Sequence, residues 1–167
     1  MVLLHSPVAD YAWGRGTQTP PMVGRILIVD DDPAIRDLLD ELLTDEGYEV
    51  YTAPDGRAAI AAAQVRHPHV ILMDLMLPYL DGITATRMLK GDPTTGWIQI
   101  IAMSAGINLR MAAAQLPADG LVGKPFDIDA LLADVQLHLR RGLEGEPDAG
   151  EVARCRPRVH VLVESAG

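Results

Sequence analysis

Apolar and polar residues form blocks along the chain that predict strands followed by helices. Residues 26–29 are apolar throughout, which is typical of a strand buried on both faces of a sheet. The next apolar residues recur at the spacing of an amphipathic helix. They are Ile35, Leu38, Leu39, Leu42 and Leu43. Gly47 follows and ends this helix, since glycine readily adopts the left-handed conformation of a helix terminus.

The alternation of strand and helix continues to residue 141. The remaining predicted strands are 48–53, 70–73, 97–103 and 120–123, and the remaining predicted helices are 55–66, 83–90, 107–116 and one beginning at Ile128. Strands that alternate with helices favour a parallel sheet covered on both faces. We therefore predict an α/β fold: a flavodoxin-like, doubly wound sheet of five parallel strands in the order 2-1-3-4-5.

One domain accounts for the regular part of the chain. Residues 25–141 are predicted to form it, after a flexible leader at 1–24 that contains prolines and glycines without apolar periodicity. Residues 142–167 are predicted to be a mostly mobile tail, in which the apolar run 159–163 could form an edge strand.

Composition narrows the class of protein. Hydrophobic residues make up 49% of the 167 residues, and no apolar stretch approaches the length of a membrane span. The net charge of −9 disfavours a nucleic-acid-binding surface, which needs clustered lysine and arginine. Cys155 is the only cysteine, so a disulfide framework is excluded. These features predict a cytoplasmic protein that binds neither nucleic acid nor membrane.

Polar residues stand where the predicted strands end. Strand one is followed by Asp30 and Asp31, strand three by Asp74, and strand four by Ser104, while strand five ends at Lys124. In an open parallel sheet, ligands bind beyond the carboxyl ends of the strands, where the strand order reverses. The order 2-1-3-4-5 places strands one and three on either side of that point, so the three acids are expected to face one crevice.

Three carboxylates in one crevice repel each other unless a cation balances them. A hard divalent ion such as Mg²⁺ prefers oxygen ligands and leaves room for phosphate oxygens. An ionised carboxylate is also a competent nucleophile at phosphorus, and phosphoryl transfer depends mainly on positioning and charge neutralisation. Asp31 and Asp32 could instead form the acidic pair. We prefer Asp30 and Asp31, because Asp32 before Pro33 has the pattern of a helix N-cap.

Four segments carry a resemblance to a known family. They are RILIVDDDP at 25–33, VILMDLMLP at 70–78 followed by Asp81-Gly82, IAMSA at 101–105 and GKPF at 123–126. In order and spacing they resemble the receiver domains of bacterial two-component response regulators. The resemblance covers residues 25–141.

The resemblance implies roles for individual residues. Asp74 would accept a phosphoryl group, and Asp31, Asp74 and the main-chain carbonyl of Met76 would bind Mg²⁺ directly. Asp30 would act chiefly through water. Ser104 takes the position of the family's hydroxyl residue.

The resemblance also implies a role for Lys124, the geometry of the peptide bond that follows it, and partners for the protein. Lys124 takes the position of the family's lysine, with a cis peptide bond to Pro125. The phosphoryl donor would be a sensor histidine kinase or a phosphotransfer protein. Because we predict a single domain without a DNA-binding or enzymatic output domain, we expect the signal to pass to a downstream protein by contact or along a phosphorelay. The protein would be a monomer or a weak dimer, and not an enzyme beyond its own phosphoryl transfer and slow dephosphorylation.

Two features depart from the family pattern. Leu121 stands where the family usually has tyrosine or phenylalanine, and the segment between Ser104 and Lys124 is about two residues short. Both concern how a phosphorylated state would be read out. We therefore expect Ser104 and the loop after it to carry the conformational signal.

Three alternatives compete with this interpretation. A pseudo-receiver would keep the fold as an interaction module without phosphorylation, but the acids, hydroxyl and lysine are all present. A phosphatase of the haloacid dehalogenase type would need threonine at Ala34, in its Asp-x-Asp-x-Thr motif. A flavodoxin-like electron carrier would need a phosphate-binding loop rich in serine, threonine and glycine after strand one, and none follows it.

Overall fold

The computed structural model describes residues 23–105 and 116–147. Within them the chain forms five strands and four helices. The strands are β1 (Arg25–Val29), β2 (Glu49–Ala53), β3 (Val70–Asp74), β4 (Gln99–Ala105) and β5 (Gly120–Lys124). The helices are α1 (Pro33–Asp45), α2 (Gly56–Arg66), α3 (Gly82–Gly91) and α4 (Ile128–Gly145).

The five strands form one parallel sheet in the order β2-β1-β3-β4-β5, as predicted. Leu39 and Leu43 of α1 pack with α4 on one face of the sheet. Ala59 and Ala63 of α2 pack with α3 on the other face. β1 and β3 are buried on both sides, which explains why their sequences are apolar without alternation. The α/β doubly wound fold is confirmed.

Aspartates begin all four helices. Asp32, Asp55, Asp81 and Asp127 each accept a hydrogen bond from a main-chain N–H in the first turn of the following helix. This bond satisfies a donor that has no partner within the helix. Each of the four helices follows a strand along the chain (β1, β2, β3 or β5), so the caps lie at the carboxyl end of the sheet. The predicted role of Asp32 as an N-cap is confirmed.

The last helix is longer than the sequence pattern indicated. α4 continues to Gly145, four residues beyond the predicted end of the domain at residue 141. Gly142 permits this, because a Cβ there would lie 2.5 Å from the main-chain oxygen of His69. Glu146 then bonds the side chains of Arg25 and His69. The helix end is thus held against the starts of β1 and β3.

Several predictions fall wholly or partly outside the described residues. The predicted helix 107–116 does so except for Leu116, which is not helical. The leader lies outside up to residue 22, and the tail, including the suggested edge strand at 159–163, lies outside from residue 148. In the parts of the chain that the structure describes, no helix is long and apolar enough to cross a membrane.

Candidate functional site

Three carboxylates meet where β1 and β3 end side by side. Asp30 and Asp31 directly follow β1, and Asp74 is the last residue of β3. One oxygen from each of the three lies within 4.8 Å of the others. Asp30 and Asp74 are only 1% and 6% exposed, whereas Asp31 is open to solvent. The predicted convergence of these acids is therefore present in the structure.

The side chain of Lys124 joins two of the acids. β5 ends at this residue, and its Nζ lies 2.5 Å from Oδ2 of Asp30 and 2.8 Å from Oδ2 of Asp74. Burial by itself would lower the pKa of Lys124, but the hydrogen bonds and negative charges of the two carboxylates outweigh it, so its pKa lies above the ordinary value of 10.5. Lys124 is therefore a fixed positive charge between two buried carboxylates.

Main-chain hydrogen bonds orient the same two carboxylates. Oδ1 of Asp74 accepts the N–H of Met76 at 3.0 Å, and Oδ1 of Asp30 accepts the N–H of Asp32 at 3.0 Å. Asp32 itself faces the helix, where its Oδ1 accepts the N–H of Ala34 at 2.9 Å. This geometry favours the pair Asp30 and Asp31 over Asp31 and Asp32 in the acidic cluster.

Gly82 allows the loop after β3 to fold tightly over the strand end. Its N–H donates to the carbonyl of Leu75 at 3.2 Å. A Cβ at this position would lie 1.9 Å from the main-chain oxygen of Asp74, a distance at which atoms overlap. The start of α3 is thereby held against the residue that carries the candidate nucleophile.

Two further predicted site residues lie near Asp74: Met76 follows it by two residues along the chain, and Ser104 lies on the neighbouring strand β4. Ser104 follows Met103, the residue of β4 that pairs with Asp74. It pairs with Gly123, which precedes Lys124. Ser104 is partly exposed, and the side chain of Met76 is 75% exposed. Both residues are thus at the carboxyl edge of the sheet where the prediction placed them.

Leu121 occupies an apolar environment next to β4. It pairs with Ala102 and packs against a buried group that contains Leu75 and Leu116. Leu121 therefore contributes to packing three residues before Lys124. The peptide bond between Lys124 and Pro125 is cis, as the resemblance implied.

One contact at the site is not predicted by any pattern in the sequence. Nη1 of Arg36, on the first turns of α1, lies 2.6 Å from the main-chain oxygen of Asp30. An arginine in an amphipathic helix is ordinarily a solvated residue, so its type and spacing do not predict this bond. The bond depends on how α1 turns back over the end of β1.

The donor set suits a hard divalent cation. The ammonium group of Lys124 offsets one of the three negative charges, and the carboxylate oxygens are close enough to share one ion. Such oxygens are the ligands that Mg²⁺ prefers, and Mg²⁺ is commonly bound by one or two carboxylates together with water and phosphate oxygens. The residues present therefore fit Mg²⁺.

Comparison with known families gives a direct match. Residues 26–136 match the model of the response regulator receiver domain. The DNA-binding dual master transcriptional regulator RpaA of Synechocystis is 41% identical over 119 residues, which are 70% of this chain and 49% of that protein. Response regulator PleD of Caulobacter vibrioides is 43% identical over 117 residues, which are 69% of this chain and 26% of that protein. The chain thus spans about half or less of these relatives.

Similar solved structures include a response regulator and the receiver domain of a sensor histidine kinase. A putative response regulator from Chloroflexus aurantiacus has a TM-score of 0.67 and 29% identity, covering 71% of this chain and 98% of its own. Another similar structure is the receiver domain of sensor histidine kinase PA1611 from Pseudomonas aeruginosa, which has a magnesium ion coordinated in its active-site cleft. It has a TM-score of 0.66 and 30% identity, covering 71% of this chain and 98% of its own. Together with the sheet order and the family match, these likenesses show that the chain belongs to the response regulator receiver domain family.

Proposed function

We propose that this protein accepts a phosphoryl group on Asp74, with Mg²⁺ bound directly by Asp31, Asp74 and the carbonyl of Met76, and by Asp30 chiefly through water. The observation that carries the proposal is the shared position of three carboxylates and one ammonium group at the ends of β1, β3 and β5. Receiver domains of this family interact with histidine kinases, so we propose a phosphohistidine of a kinase or phosphotransfer protein as donor.

The nucleophile is oriented before the reaction. The N–H of Met76 and the ammonium of Lys124 each hold one oxygen of the Asp74 carboxylate, which restricts its rotation. A carboxylate oxygen forms a bond to phosphorus while the bond from phosphorus to the imidazole nitrogen breaks. The electron pair of that bond stays on the imidazole, and no base on this chain is needed, because a carboxylate attacks without giving up a proton.

Charge balance is the other requirement. Transfer brings further negative oxygens to a place that already holds three acids. Bound Mg²⁺ supplies positive charge toward those oxygens, which is its usual part in phosphoryl transfer. Lys124 can donate from its ammonium group to a phosphoryl oxygen. We propose that the Ser104 hydroxyl donates a hydrogen bond to a second phosphoryl oxygen.

We propose that the phosphorylated protein signals by contact with another protein or by passing its phosphoryl group along a relay. The net charge of −9 supports a protein partner over nucleic acid for this chain. We propose no enzymatic activity beyond the transfer itself and slow hydrolysis of the acyl phosphate.

Intact mass spectrometry after incubation with acetyl phosphate tests the proposal. We expect the mass of one phosphoryl group to be added in the presence of Mg²⁺ and not in EDTA. Asp74→Asn should prevent the addition, since an amide is not a nucleophile at phosphorus.

Asp32→Asn is the matched control for that experiment. It changes an acid two residues from Asp30 but keeps a good helix N-cap, so it should be phosphorylated like the wild type. Equal labelling of the wild type and Asp74→Asn would overturn the assignment of the acceptor.

A further inference from the structure

Arg36 contacts the main chain that carries the acidic pair, not the acids themselves. Its Nη1 lies 2.6 Å from the main-chain oxygen of Asp30, a short bond of the kind that a charged donor makes. That oxygen belongs to the peptide bond between Asp30 and Asp31. Arg36 is only partly exposed, and it is anchored within α1 by the hydrogen bond from its own N–H to the carbonyl of Asp32.

The contact matters most for Asp31. The carboxylate of Asp30 is held by Lys124 and by the N–H of Asp32. The carboxylate of Asp74 is held by Lys124 and by the N–H of Met76. Asp31 is exposed, and within the part of the chain that the structure describes its carboxylate accepts no hydrogen bond, unlike those of its neighbours. Its position is therefore set by the main chain on which it stands.

Two hydrogen bonds, one in each of the peptide planes that flank Asp30, fix that main chain. In the plane between Val29 and Asp30, the N–H of Asp30 donates to the carbonyl of Ala53 at 3.2 Å, as a continuation of the sheet. In the plane between Asp30 and Asp31, Arg36 holds the carbonyl of Asp30. Loss of the bond from Arg36 would free the plane between Asp30 and Asp31 to rotate about the Cα–C bond of Asp30, and this rotation moves the Cα of Asp31 relative to Asp74.

We infer that Arg36 is a positioning residue for the cation site, acting through the peptide bond that carries Asp31. This inference rests on the proposed function, because it assumes that the acidic cluster binds Mg²⁺. Groups that orient metal ligands without touching the metal commonly change metal affinity by about tenfold or more when they are removed.

The sign of the effect separates positioning from simple electrostatics. A positive guanidinium close to a cation site repels the cation, so removing its charge should strengthen Mg²⁺ binding if charge is all that matters. Removal of a positioning contact should weaken binding instead. The two explanations therefore predict opposite changes in the dissociation constant.

The test is calorimetric titration of the full chain with MgCl₂, alongside thermal unfolding in EDTA. Arg36→Met keeps the apolar stem of the side chain and loses its charge and donors. We expect its dissociation constant for Mg²⁺ to rise about tenfold. Arg36→Gln, which replaces the arginine with an uncharged polar side chain instead of an apolar one, should show the same change. The matched control is Arg57→Met, an exposed arginine on the first turn of α2, which should leave the constant unchanged.

The outcomes distinguish the inference from the proposed function. If the wild type binds no Mg²⁺, the proposed metal site itself is wrong. If the wild type binds Mg²⁺ and the Arg36 variants bind it equally or more tightly, the positioning role is wrong while the metal site stands. A lower melting temperature in EDTA with an unchanged dissociation constant would show a purely structural role. Equal weakening by Arg57→Met would also overturn the inference.

Discussion

Asp31 is the acid of the cluster that Lys124 does not reach, and its neutralisation provides a sensitive test of the electrostatics. The ammonium group bonds Asp30 and Asp74, which leaves the charge of Asp31 to repel both of them. Asp31→Asn keeps the size of the side chain and removes the charge. We expect this variant to be more stable than the wild type without metal and to lose the stabilisation that Mg²⁺ provides.

The magnitude follows from the separation of the oxygens. The oxygens lie within 4.8 Å of one another, and at that outer limit two unit charges repel by about 0.9 kcal/mol in water and by about 3.5 kcal/mol at an effective dielectric of 20. Asp31 is exposed, so the lower figure applies to each of its two neighbours, and attraction to Lys124 offsets part of the sum. A net gain of about 1 kcal/mol remains, which corresponds to roughly 4 °C in melting temperature for a domain of this size.

Thermal unfolding with and without Mg²⁺ measures both effects. At tenfold excess over its dissociation constant, Mg²⁺ should stabilise the wild type by about 1.4 kcal/mol. Asp31→Asn should melt higher in EDTA and change little when Mg²⁺ is added. A lower melting temperature of Asp31→Asn in EDTA would refute the repulsion argument, and an equal response of both proteins to Mg²⁺ would place the metal elsewhere.

Three further predictions concern packing, pH and signalling. Gly82→Ala should destabilise the protein by about 3 kcal/mol in urea unfolding, because its Cβ would lie 1.9 Å from the carbonyl oxygen of Asp74; an unchanged midpoint would contradict this. Burial lowers the pKa of His69 below 6.5, so the unfolded chain binds more protons, and stability should fall as the pH falls below about 6.5. Urea unfolding at pH 7 and 5.5 should show a smaller loss for His69→Gln, and an equal or larger loss would refute the assignment. Ser104→Ala should remove the change in hydrogen exchange across residues 104–123 that a stable phosphoryl mimic causes, whereas Leu121→Ala should lower stability but keep that change; the reverse result would refute the proposed readout.

The fold could be predicted from the sequence because its strands and helices are marked by local patterns of apolar residues. Unbroken apolar runs mark β1 and β3, and a helical spacing of apolar residues marks α1. The strand order places the ends of β1 and β3 together, so the meeting of Asp30 with Asp74 follows from topology.

Individual contacts between side chains, or between a side chain and the main chain, could not be predicted in the same way. Nothing in the residue types indicates that Arg36 bonds the carbonyl of Asp30, or that His69 is fully buried against Glu146. The extra turn of α4 depends on Gly142 passing close to the start of β3, which is visible only once both elements are placed. Such contacts depend on the packed geometry, which leaves no periodic trace in the sequence.

Identification of the modified residue tests the central claim most directly. After incubation with acetyl phosphate and Mg²⁺, borohydride reduces an aspartyl phosphate to the alcohol, which converts that aspartate to homoserine. Peptide mass mapping should then place homoserine at position 74, in a reaction that requires Mg²⁺. Homoserine at Asp30 or Asp31 instead, or a phosphoryl group that resists borohydride and remains on a hydroxyl such as that of Ser104, would contradict the account.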